Sequence, residues 1–139
     1  VVDDMPDFYE ALKATFPDWE WRWADSEDRA DALLSEFNPH LTLIDTRLSE
    51  HDPNDTRGVG LLQRLKTRFP QQTFVIVSAQ GENFDTTRDA FRAGAYDYML
   101  KGEHSLLQEL VNSRVQLEYE KLKAAQRQRA PAEVVVEKI

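Results

Sequence analysis

Five side chains in this sequence carry chemistry that could act together: the carboxylates of Asp3, Asp4 and Asp45, the hydroxyl of Ser78 and the ammonium of Lys101. Each stands at the end of a short apolar run, namely Val1-Val2, Leu41-Thr42-Leu43-Ile44, Thr73 to Val77, and Tyr96 to Leu100. Three carboxylates held close in a low-dielectric crevice repel one another, so either a pKa rises or a cation binds. A hard divalent ion with oxygen ligands satisfies them, and Mg²⁺ suits a site with few protein carboxylates and several waters. Such a site is built for a phosphoryl group. Asp45 would be the nucleophile, Mg²⁺ would neutralise the phosphoryl oxygens, and Lys101 with the Ser78 hydroxyl would hold the remaining ones. A lone Asp at a strand exit is usually structural; four matched exits are a far more specific signal.

This chemistry requires a sheet whose strands all end on one edge. Leu41 to Asp45 follows the breaker pair Asn38-Pro39 and reads as a buried strand of a parallel sheet, as does the β-branched run Thr73 to Ser78. Tyr96 to Leu100 is a further strand that delivers Lys101. Trp19-Glu20-Trp21-Arg22-Trp23 alternates aromatic and charged residues, the period of a half-exposed edge strand. Packing in such a strand is favoured over a carbohydrate- or base-stacking platform. Val1-Val2 reads as the end of a strand whose beginning is missing, since strands normally run to about five residues.

Helices alternate with these runs. Pro6 suits a first helical turn, followed by an apolar face of Phe8, Leu12 and Phe16, and Pro17 ends it. Ser26 caps a second helix with Ala30, Leu33, Leu34 and Phe37 buried; Val59, Leu62 and Leu65 line a third, which Pro70 closes. Phe84 to Ala93 is a short helix stopped by Gly94. A last helix begins near Ser105 and is expected to run to about Arg129, where Pro131 breaks it. The result is strand-helix five times over. Right-handed crossovers then give a doubly wound (βα)5 flavodoxin-like sandwich, α/β class, with parallel strand order 2-1-3-4-5 and an extended C-terminal helix.

The 139 residues suit one domain, and 41% hydrophobic with 30% charged residues is ordinary for a globular protein. A formal net charge of −8 argues against direct nucleic-acid binding, which needs a basic face to displace counterions. With no Cys there is no disulfide framework and no thiolate chemistry. No stretch approaches a membrane span and no signal peptide is visible, so a cytoplasmic location is the expectation. His40, His51 and His104 lack ligand spacing and read as surface residues.

The chain resembles a bacterial two-component response-regulator receiver domain. The resemblance rests on Val1-Val2-Asp3-Asp4, Leu43-Ile44-Asp45, Gly58 to Lys66, Val75 to Ala79 and Ala90 to Lys101, and covers the chain to about Val111. It implies a receiver domain over 1–112, followed by an extended helix and tail over 113–139. It also implies Asp45 as phosphoacceptor, Asp3 and Asp4 as the Mg²⁺-binding acidic pair, and the backbone carbonyl of Arg47 as a further metal ligand. Ser78 matches the switch hydroxyl, Lys101 the lysine of the phosphate site and Tyr98 the aromatic that moves inward on activation. The implied partners are a sensor histidine kinase or phosphotransfer protein and an output domain or partner protein beyond the last helix, with a homodimer as a further possibility. The implied activity is signalling rather than that of an enzyme with a separate substrate: phosphoacceptance on Asp45 switches the face formed by the fourth helix, the fifth strand and the last helix, and so controls an output domain or partner.

Two departures stand out. Lys101 is followed by Gly102 where the family usually has proline in a cis peptide; Gly makes cis cost roughly 2.5 to 4 kcal/mol, so a trans bond is expected. The polar loop after Asp45, Thr46 to Arg57, is longer than usual for a strand-to-helix connection and carries Arg47, Asp52, Asp55 and Arg57. Gly102 keeps alive a phosphorylation-independent pseudo-receiver that acts as a protein-interaction module. A haloacid-dehalogenase-type phosphatase would need an acid two residues past the nucleophile, where Arg47 stands. A cobalamin- or flavin-binding module would want a phosphate-cradling loop in place of Asp3-Asp4-Met5-Pro6.

Overall fold

The computed structural model describes residues 1–46, 57–79 and 84–138. The elements in order are α1 (Asp7–Thr15), α2 (Glu27–Glu36), β1 (Thr42–Asp45), α3 (Arg57–Arg68), β2 (Phe74–Ser78), α4 (Phe84–Arg92), β3 (Asp97–Leu100) and α5 (His104–Lys138). The three strands are parallel in the order β1-β2-β3, with Asp45 opposite Val77 and Ser78 opposite Leu100. Val2 extends this sheet by one residue, bridging in parallel to Ile44 on one side and Ala24 on the other. The spatial order is thus Ala24, Val2, β1, β2, β3. It is the 2-1-3-4-5 order, with its first two strands reduced to single bridges.

Alternating side chains of the strands feed two cores. Ile44, Phe74 and Ile76 pack with Ala30 of α2, Leu61, Leu62 and Leu65 of α3, and Ala90 of α4. Leu43, Val75, Val77 and Met99 pack on the other face with Leu12 of α1 and Leu107 and Leu110 of α5. Strands buried on both faces explain the continuous apolar runs. Full burial of each such side chain contributes about 1.5–3 kcal/mol, and Phe74, Val75 and Ile76 are all 0% exposed. On the outside, Glu27 joins α2 to α3 through Arg64 at 2.7 Å and Arg68 at 3.2 Å.

Local signals account for most helix boundaries. The Ser26 side chain accepts a hydrogen bond from the Arg29 N–H at 3.3 Å, closing the start of α2. α4 ends at Gly94, whose φ of +107° only glycine adopts without strain.

Two expectations are corrected. The segment Trp19 to Trp23 is not a regular strand: the one bridge is at Ala24, beside Arg22, whose carbonyl accepts from the Val1 amino group at 3.0 Å. A strand needs main-chain neighbours along its length, and among the described residues that pairing is confined to Arg22 and Ala24. Instead Trp19 stacks on Phe16 at 4.3 Å, and the Trp21 indole N–H donates to the Phe16 carbonyl at 2.9 Å. The tryptophans are packing groups, as their alternation suggested. Secondly, α5 does not stop before Pro131 but continues to Lys138. An interior proline removes one hydrogen bond, and Ala130, Ala132 and Glu133 around it favour helix.

A cavity of about 550 Å³ opens at the amino end of the sheet, lined by Val1, Trp21, Leu33, Leu41, Leu107 and Val111 among others. It lies in line with Val2, at the opposite end of β1 from Asp45.

Candidate phosphoacceptor site

Asp45 is the last residue of β1 and is 5% exposed. Its N–H donates to the Val2 carbonyl at 3.0 Å, and the next residue, Thr46, donates its N–H to Val77 O at 3.0 Å. The strand exit is therefore fixed from both neighbours. From above, Gly58 at the start of α3 donates its N–H to Thr46 O at 3.0 Å. A Cβ on Gly58 would collide with the Asp45 carbonyl oxygen and stand 2.8 Å from Thr46 Cα. This close approach of backbone to backbone is what requires glycine there.

Asp3 follows Val2 and is 1% exposed. Its Oδ1 accepts from the Met5 N–H at 3.1 Å, and its carbonyl accepts from the Trp23 indole N–H at 2.9 Å, so both ends of the residue are anchored. Tyr9 of α1 stacks on Trp23 with centroids 6.3 Å apart.

Lys101 arrives from β3. Its N–H donates to Ser78 O at 2.9 Å, and its Nζ lies 2.9 Å from Asp45 Oδ2 and 3.8 Å from Asp3 Oδ2. The Phe8 ring of α1 lies 5.3 Å from the same Nζ, a cation–π contact on the ammonium's other side. The Lys101–Gly102 bond is trans, as expected from glycine at 102.

The structure thus joins Asp3, Asp45 and Lys101 in one ion-pair cluster, with Ser78 fully buried on the adjacent strand and Asp4 half-buried beside Asp3. Tyr98, three residues before Lys101, is half-buried and packs on the core shared with α3 and α4. The loop after Asp45, with Arg47, His51, Asp52 and Asp55, lies outside the described residues. Sequence reasoning missed Phe8, Trp23 and Gly58 as supports of the site. Phe8 and Trp23 carry no local signal of contact with Lys101 or Asp3, whereas the glycine at 58 was a signal of close approach.

Burial sets the electrostatics. Desolvation pushes the Asp3 carboxyl up from 3.8 to about 7, the Asp45 charge adds to this, and the Met5 N–H and Lys101 oppose it. Asp3 Oδ2 and Asp4 Oδ1 are buried and accept no hydrogen bond from the described residues. Buried carboxylate oxygens without donors are costly and suit a hard cation. Among the described residues no three carboxylate or imidazole side chains are already converged on one ion position; the Lys101 ammonium stands between Asp3 and Asp45. The donor set fits Mg²⁺ by its chemistry.

Comparison with known proteins agrees with this arrangement. The family model for the response regulator receiver domain matches residues 1–112. The response regulator protein PilR of Pseudomonas aeruginosa is 33% identical over 120 residues, covering 84% of this chain and 26% of that protein. The regulatory protein AtoC of Escherichia coli is 26% identical over 103 residues, 73% of this chain and 21% of its own length. Among solved structures, NtrX from Brucella abortus in complex with ATP superposes with a TM-score of 0.66 at 27% identity, over 87% of this chain and 28% of that one. A CheY-like receiver domain protein from Methanospirillum hungatei has a TM-score of 0.68 at 21% identity, covering 86% and 94%. The chain spans about a quarter of the length of the curated relatives it matches. Matched along residues 1–112 and folded with its acidic exits, Ser78 and Lys101 on one edge of a parallel sheet, the chain belongs to the response regulator receiver domains of two-component systems.

Proposed function

We propose that Asp45 is the phosphoacceptor of this receiver domain, taking its phosphoryl group from a sensor histidine kinase or a phosphotransfer protein. The observation that carries this reading is the buried Asp3–Lys101–Asp45 cluster at the carboxyl edge of the sheet. An Asp45 carboxylate oxygen attacks phosphorus, an O–P bond forms, and the N–P bond of the donor phosphohistidine breaks with its electron pair returning to the imidazole. Lys101 leaves its ion pair with Asp45 to hold a phosphoryl oxygen, and the Ser78 hydroxyl donates to another. Asp3, Asp4, Asp45 and the Arg47 carbonyl would hold Mg²⁺, which supplies neutralising charge when bound. The chain assists its own phosphorylation and dephosphorylation and is no enzyme toward a separate substrate.

The signal leaves through β3. Drawing Ser78 and the following loop toward the phosphoryl group opens space beside Tyr98, whose ring moves inward and alters the α4-β3-α5 face. Phe91, Tyr96 and Leu100 are exposed there, at 46%, 51% and 38%. The relatives are more than three times the length of this chain, which supports an output domain as the receiver of the signal. Along α5, Val115, Leu117, Tyr119 and Leu122 are exposed, and the output segment or a second copy of the chain would cover them. Among the described residues no helix is long and apolar enough to cross a membrane, and we place the domain in the cytoplasm, with its kinase. Incubation with beryllofluoride and Mg²⁺ tests the reading: an adduct forms in the wild type and not in Asp45→Ala. No adduct in the wild type would leave a phosphorylation-independent interaction module.

A further inference from the structure

Lys101 must present its ammonium at a fixed point, yet the turn that follows it carries little packing. Gly102 is exposed, and a Cβ placed on it would meet no atom within 4 Å. Nothing packs on the turn at that position, and glycine is the residue with most backbone freedom to lose. The restraint comes from hydrogen bonds instead. Leu100 pairs with Ser78, and because the Lys101 N–H takes the Ser78 carbonyl, the Leu100 N–H faces the open side of the sheet. There it donates to Glu103 Oε1 at 2.8 Å, while the Glu103 N–H donates back to Leu100 O at 3.0 Å. The two bonds close a ring whose span contains Lys101 and Gly102. Glu103 is anchored in turn to the start of α5, since its carbonyl accepts from the Leu107 N–H at 3.1 Å.

We propose that Glu103 is a positioning residue for Lys101. Its carboxylate fixes the trans turn from the solvent side, so that the Lys101 ammonium reaches Asp45 and Asp3, and through this it sets the rate of phosphoryl transfer to Asp45. The carboxylate itself touches neither Asp45 nor the phosphoryl group. The effect on rate rests on the phosphoacceptor reading given above; the effect on Lys101 does not.

Two readouts therefore test it. In the first, Glu103→Ala, Glu103→Gln and wild type are exposed to a limiting amine-acylating reagent, and modification of Lys101 is followed by peptide mass spectrometry against the exposed Lys13. In the second, Mg²⁺-dependent phosphorylation by acetyl phosphate is timed. Loss of one ordinary hydrogen bond corresponds to about a fivefold effect, and solvent screening at the exposed Glu103 removes most of the extra strength its charge would add. Glu103→Ala is expected to speed Lys101 acylation by about fivefold and to slow phosphorylation by a similar factor. Glu103→Gln keeps the acceptor oxygen and restores both to within about twofold of wild type. Unchanged Lys101 acylation in Glu103→Ala overturns the proposal, as does a Gln variant as impaired as the Ala variant, since general loss of structure would not distinguish them. If wild type takes no phosphoryl group while Lys101 acylation responds as described, the phosphoacceptor reading fails and the positioning of Lys101 stands.

Discussion

Asp3→Asn is expected to stabilise the metal-free protein at neutral pH. Asp3 is 1% exposed, its Oδ2 accepts no hydrogen bond from the described residues, and its carboxyl is raised from 3.8 to about 7 by burial and by Asp45. Below pH 3.8 the group is protonated in both the folded and unfolded chain. Between 3.8 and about 7 the folded chain keeps a proton that the unfolded chain has lost, so this residue's contribution to stability falls as pH rises and is flat above that window. At about 1.4 kcal/mol per pH unit the rise sets a ceiling of ~4 kcal/mol. The substituted amide retains the oxygen that accepts from Met5 N–H and carries no charge to desolvate; it loses the 3.8 Å approach to Lys101. A net gain of about 1–3 kcal/mol at pH 7.5 follows, because that attraction offsets part of the ceiling. Urea unfolding in EDTA from pH 4.5 to 8 measures it. Wild type loses stability across this range more steeply than the Asp3→Asn variant, and added Mg²⁺ reverses the order by stabilising wild type through binding. An Asp3→Asn variant that is less stable at pH 7.5 in EDTA, or that keeps the wild-type pH slope, would refute the reasoning.

A further outcome follows from packing. Gly58→Ala forces the start of α3 away from the Asp45 carbonyl and is expected to cost about 2–4 kcal/mol; thermal unfolding reads it, and a shift within error of zero would mean that the contact is not as close as described.

The sequence carried the β1 and β2 strands because each is a short apolar run ended by a polar residue, and burial on both faces leaves no other pattern. It carried the charged edge for the same reason: Asp45, Ser78 and Lys101 are each the first polar residue past such a run. What it could not carry depends on partners distant along the chain. The Trp19 to Trp23 alternation had the period of a strand, but pairing also needs a neighbour, and among the described residues main-chain pairing here is confined to Arg22 and Ala24. Pro131 looked like a helix end, yet α5 runs through it because the residues on both sides favour helix. Phe8 under Lys101, Trp23 on the Asp3 carbonyl and Glu103 on the Leu100 N–H are tertiary or turn contacts, made by residue types that occur as often in ordinary surfaces and cores. The raised Asp3 carboxyl is likewise a product of burial, visible only once the sheet is assembled.

The central claim is that Asp45, held by Lys101 and flanked by Asp3 and Asp4, accepts a phosphoryl group. Intact-mass and peptide mass spectrometry after incubation with acetyl phosphate, with and without Mg²⁺, tests it most directly. The account predicts the gain of one phosphoryl group on the peptide containing Asp45, dependent on Mg²⁺ and absent from Asp45→Ala. A wild-type chain that remains unmodified with Mg²⁺ present, or one modified equally in Asp45→Ala, would contradict it.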